Sequence, residues 1–124
     1  MFRTTGFASP AEEFEGDEFD LERHIFASPD LFPVRMSGEA MIGASILAGD
    51  FVLIRPGQTP RVGEIVWARV DDRQLLRFYR KDRQGKPYLR AAHPDVPDDR
   101  PHEELLIYGV ATAILRDLLP ARHP

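Results

Sequence analysis

At 124 residues and 43% hydrophobic, the chain has material for one compact domain with a modest core and none for a second. It contains no cysteine, which excludes a disulfide framework and a thiolate zinc site, and a net charge of −4 restricts any nucleic-acid contact to a local basic patch. No apolar run approaches the roughly 18 residues of a membrane span, and the opening MFRTTGFASPAEEFEG carries no apolar stretch of signal-peptide length, so a soluble cytoplasmic protein with no membrane contact is expected.

Residues 1–30 read as a polar, acidic N-terminal arm. Seven acids fall between Glu12 and Glu22 (Glu12, Glu13, Glu15, Asp17, Glu18, Asp20, Glu22), interleaved with Phe14, Phe19 and Leu21. The simpler expectation is a solvated, flexible arm with a short helical turn around 19–26. The alternative is a mobile strap that packs its aromatics on its own domain or on a partner.

From Leu31 the pattern changes to short β-type segments: FPVRM, DFVLIR (50–55), GEIVWARVD (63–71), QLLRFYRK (74–81), KPYLRAA (86–92) and ELLIYGVATAIL (104–115). Turn signals separate them: Gly49-Asp50, PGQTP at 56–60, Asp71-Asp72, Gln84-Gly85 and HPDVPDDRP at 93–101. In the fourth segment Leu76, Phe78 and Arg80 alternate with Leu75, Arg77, Tyr79 and Lys81, the period of a strand with two distinct faces. The last strand should end near Leu115, with RDLLPARHP a frayed tail, so the expected division is arm 1–30, β domain 31–117 and tail 118–124. His24, His93, His102 and His123 share no metal-ligand spacing, and no metal or cofactor is expected. Lys81 and Lys86 are the only lysines, so a reaction that needs a deprotonated amine has two candidates.

The stretch VRMSGEAMIGASILAGDFVLI, residues 34–54, resembles the signature of the LexA/UmuD family of self-cleaving serine–lysine peptidases, in which a strand runs into S-G-x-S-M, a short segment, and a G-D followed by an apolar strand. Ser37, Gly38, Met41, Ile46, Gly49 and Asp50 match without a gap. The second serine of that signature is the nucleophile, and its position here holds Ala40. The family's general base is a lysine on a later strand. Desolvation lowers its pKa so that the neutral amine can take the serine proton. In the corresponding VWARVDDRQLLRFYRK that lysine falls on Arg77. A methyl group cannot attack a carbonyl, and a guanidinium does not give up its proton usefully. The resemblance therefore implies a pseudo-peptidase with no functional catalytic residue.

Ser37, Ser45 and Lys81 are the available substitutes for the dyad. Ser37 and Ser45 flank position 40 at three and five residues, and Lys81 lies about 13 Å along the strand from Arg77, so a displaced dyad is not expected. The resemblance further implies a mainly β, β-clip-like domain of the LexA/UmuD/signal-peptidase type. Ser37, Gly38, Glu39 and Met41 would line the former oxyanion and peptide cleft, with the amides of Glu39 and Ala40 pointing into it and Arg77 free to pair with a carboxylate of the acidic arm. Thr5-Gly6 would be a vestigial cleavage site, so that the chain looks like the trimmed form of UmuD. Relatives of that kind dimerise largely through their C-terminal strands and associate with an error-prone Y-family DNA polymerase and with the RecA filament in the SOS response to DNA damage. A homodimer binding such a polymerase, RecA or a full-length UmuD/LexA-like homologue is the implied function, without sequence-specific DNA binding because no helix-turn-helix precedes the β region. The alternative is an active peptidase of this family carrying an engineered inactivating alanine. A signal-peptidase relative would need a membrane anchor, which the sequence does not supply.

Overall fold

The structure is a computed structural model that describes residues 30–119. The arm through residue 29, with the expected helical turn and Thr5-Gly6, lies outside the described residues, as do residues 120–124. The six Val-, Ile- and aromatic-rich segments become six strands, each within a residue or two of its sequence-read bounds: β1 (Phe32–Arg35), β2 (Phe51–Pro56), β3 (Ile65–Val70), β4 (Arg73–Lys81), β5 (Pro87–Arg90) and β6 (Leu105–Leu115). They form one antiparallel sheet in the order β1-β2-β6-β3-β4-β5, and a single 3-10 turn, Ile42–Ala44, interrupts the run between β1 and β2.

The alternation read in β4 sorts its side chains between two cores. Leu76 and Phe78 belong to a cluster with Met36, Met41, Ile46, Val52 and Ile54 on one face. Leu75 and Tyr79 join Val66, Ala68, Val70, Leu89 and Val110 on the other. Met41, Val52, Ile54, Val66 and Leu89 have no exposed surface, and each such aliphatic side chain contributes roughly 1.5–3 kcal/mol by leaving water.

The last strand, β6, inserts between β2 and β3 and holds the two halves of the sheet together. Gly109 makes that insertion possible. A Cβ there would stand 2.5 Å from the Arg55 carbonyl oxygen and 2.6 Å from Ile54 Cγ2, so only glycine lets β6 run this close to β2. The β3–β4 turn is tied to the start of β6 by Asp71, whose carboxylate accepts the backbone N–H groups of His102, Glu103 and Glu104. Those bonds hold the Asp71 carboxyl below the usual carboxylate range.

Two sequence expectations need correction. The tail does not fray at residue 116, because Arg116 is fixed to Asp50 by a bidentate pair at 2.8 Å to each oxygen. Nor is 93–101 only a turn: Asp99 forms an isolated antiparallel bridge with Leu89, which adds a short rung outside β5.

Candidate functional site

The S-G-x-x-M turn follows directly from the end of β1. Met36 donates to the Asp50 carbonyl at 2.8 Å and accepts from Gly49 N–H at 2.8 Å, which closes the 37–48 loop at its base. Met41 and Ile46, 0% and 1% exposed, turn inward and anchor the loop in the first core, while Ser37, Gly38 and Glu39 stay exposed and Ala40 is half-buried. The loop's crown rests on Ala92: the Ala40 carbonyl accepts Ala92 N–H and Gly43 N–H donates to the Ala92 carbonyl, both at 2.8 Å. A Cβ on Gly43 would lie 2.6 Å from the Ala92 carbonyl oxygen, so this contact selects glycine.

Ala92 is also what links the two sequence-predicted positions. β4 and β5 pair as far as Phe78 opposite Arg90, and Ala92, two residues beyond, packs against the core cluster that holds Leu76. Met41 and Leu76, the chain neighbours of Ala40 and Arg77, share one core.

Arg77 itself turns to the face of Val66, its cross-strand partner, and is 9% exposed. Its Nε stands 3.5 Å from Asp99 Oδ2, and its Nη1 donates to the Leu76 carbonyl at 2.9 Å. Arg73, four residues earlier on the same face and largely exposed, also pairs with Asp99. Burial pulls the Arg77 guanidinium below its usual range; Asp99 opposes that, and the nearby Arg73 charge adds to it. Among the described residues the counter-charge of Arg77 is Asp99 of its own domain, while the acidic arm expected as its partner lies outside them. No local signal in HPDVPDDRP singles out Asp99 from Asp95 and Asp98; the bridge to Leu89 does so.

The substitutes for the dyad are dispersed. Ser45 is exposed with a left-handed backbone (φ 62°), and its carbonyl accepts from Arg116 Nη2. Ser37 is exposed in the loop. Lys81 is exposed at the far end of β4, opposite Pro87.

Behind the loop lies an ion pair that the sequence did not announce. Asp50, 2% exposed, accepts Leu47 N–H at 2.8 Å as well as both bonds from Arg116, which also reaches the Ser45 carbonyl. The Arg116 hydrogen bonds are the main cause of an Asp50 pKa below the usual carboxylate range. Thus the G-D step both turns the chain and staples the loop to the end of β6. Among the described residues no group of three or more His, Asp or Glu is placed to hold a metal ion, and no helix is long and apolar enough to cross a membrane.

Comparison with known proteins matches residues 3–112 to the Peptidase S24-like family. The chain is similar to the LexA repressor of Geotalea uraniireducens (38% identical over 117 residues, 91% of this chain and 57% of the relative). It is also similar to that of Frankia alni (39% over 108 residues, 86% and 41%) and that of Desulfatibacillum aliphaticivorans (46% over 66 residues, 53% and 32%). The chain spans between about a third and somewhat over half the length of these relatives.

Proposed function

We propose, from the premise that the chain belongs to the Peptidase S24-like family of LexA/UmuD type, that it is a pseudo-peptidase acting by binding protein partners rather than by cutting peptide bonds. What supports this reading is the family signature: where it has its serine nucleophile this chain has Ala40, and where it has its lysine the chain has Arg77, a buried guanidinium beside Asp99. Neither side chain can move the proton that acyl transfer from a serine requires.

The function we assign is that of a cytoplasmic, dimeric accessory or regulator in the SOS response to DNA damage, acting in translesion synthesis. Its partners would be a Y-family DNA polymerase, the RecA filament or a full-length UmuD/LexA-like homologue. The loop, with Ser37, Gly38 and Glu39 exposed, Met41 anchored in the core beneath them, and its ends held by Ala92 and the Asp50–Arg116 pair, offers such a partner a preformed surface. The test is affinity capture from DNA-damaged cells with the tagged chain. Recovery of a Y-family polymerase, RecA or a UmuD/LexA-like homologue is expected, and recovery of none of the three contradicts the reading.

The alanine at position 40 favours one second reading, an active peptidase inactivated by design. Arg77 weighs against it, because a single alanine would already have sufficed.

A further inference from the structure

Residues 30–119 contain thirteen Lys and Arg and thirteen Asp and Glu, so the described domain is neutral and the whole net charge of −4 arises outside it. Seven of the eight acids and bases between residues 12 and 23 are acids, and they form the densest run of like charge in the chain.

Within the domain the charge is unevenly spread. The β4–β5 hairpin and the strip beside it carry Arg80, Lys81, Arg83, Lys86, Arg90 and Arg100, all exposed except Arg80, which is half-buried. Four acids, Asp82, Asp95, Asp98 and Asp99, fall in the same stretch of 80–100, which leaves it with six bases and a positive balance of two. The Asp82 carboxylate accepts the backbone N–H groups of Gln84 and Lys86 in its own turn. The pairs Arg90–Asp98 (3.6 Å), Arg100–Asp98 (3.9 Å) and Arg100–Asp82 (3.9 Å) are long and reach the solvent, so they hold these charges weakly. Arg100 is held at the surface by stacking over Tyr88, 4.2 Å from the ring centre. Asp99 is taken up by Arg73 and Arg77.

We propose that this basic hairpin is the docking surface for the acidic segment Glu12–Glu22 of the same chain. Charge complementarity selects the occupant, and the tether permits it. β1 and β5 are opposite edges of the sheet, five strand spacings or about 24 Å apart. Residues 23–29, when extended, span about 24 Å, so residue 22 reaches the β5 edge and 12–22 can run along the hairpin. A tethered segment acts at an effective concentration in the millimolar range, which a free anion such as single-stranded DNA would have to exceed. The proposal concerns a surface apart from the 37–50 loop and stands whether or not the protein binds a polymerase or RecA.

The chain has no cysteine, so Gln84→Cys in the full chain gives one spin-label site at the hairpin tip without removing a patch charge. At low salt, NMR amide signals of residues 12–22 are expected to lose intensity when the label is paramagnetic. They should recover at about 1 M salt, where the screening length is about 3 Å. In the Arg83→Glu/Lys86→Glu variant the loss should vanish while the signals of the sheet keep their positions, which shows that the variant folds. Unaltered 12–22 signals beside the paramagnetic label would overturn the proposal. So would a loss seen only when spin-labelled copies are mixed with isotope-labelled, spin-free ones, since the segment would then belong to a second copy.

Discussion

At position 77 two opposing effects meet on one side chain: burial disfavours the charge on Arg77, and Asp99 restores it. Arg77→Ala would leave Asp99, 8% exposed, with only the solvated Arg73, and a loss of about 1–3 kcal/mol in urea denaturation is expected. The same substitution made in an Asp99→Asn background should cost clearly less; equal losses in both backgrounds would mean that the pair is not coupled. A lysine at 77 would meet the same carboxylate, which favours the protonated amine, so any activity restored there should be confined to raised pH. Asp50 gives the acid behaviour. Its folded pKa lies below the unfolded value, so its contribution is complete above the unfolded pKa and disappears as the pH falls through the folded one. In Asp50→Asn the stability measured at neutral pH should fall by about 2 kcal/mol, and the decline below about pH 4 should be shallower than in the parent.

The elements were legible where local pattern decides them. Runs such as EIVWARV and ELLIYGVATAIL can bury two faces only as strands, and Gly and Pro clusters end them, so the strand bounds and the two-faced β4 follow from sequence. The order β1-β2-β6-β3-β4-β5, the Asp99–Leu89 bridge and the Arg116–Asp50 staple were not legible, because each joins residues whose own neighbourhoods give no sign of the partner. The loop at 37–48 falls between these cases. Its family signature marks Ala40 and is silent on Gly43, whose contact with Ala92 fixes where the loop rests. Gly43→Ala should therefore push the loop off Ala92 and cost about 1–3 kcal/mol, read as a lower melting temperature together with shifts confined to residues 40–46 and 91–93. Unchanged stability would mean that the loop is not seated on Ala92.

For the molecule as a whole, the position of β6 constrains any dimer. β6 pairs with β3 over 105–110 and with β2 over 109–115, so among the described strands residues 111–115 keep one edge unpaired, and a homodimer built on the C-terminal strand can use that edge, where Ile114 and Leu115 are exposed beside Phe51. Ile114→Glu should then convert a dimer to a monomer in analytical ultracentrifugation; a dimer that tolerates it would have to lie elsewhere. The loss of chemistry proposed for positions 40 and 77 can be measured directly. The purified chain and its Ala40→Ser/Arg77→Lys variant are incubated side by side, at neutral and raised pH, with a UmuD/LexA-like homologue from the same organism, and cleaved product is quantified. The chain as it stands should yield no product at any pH, while the double variant cleaves at raised pH. Cleavage of the homologue by the unaltered chain would contradict the claim that proteolysis has been given up.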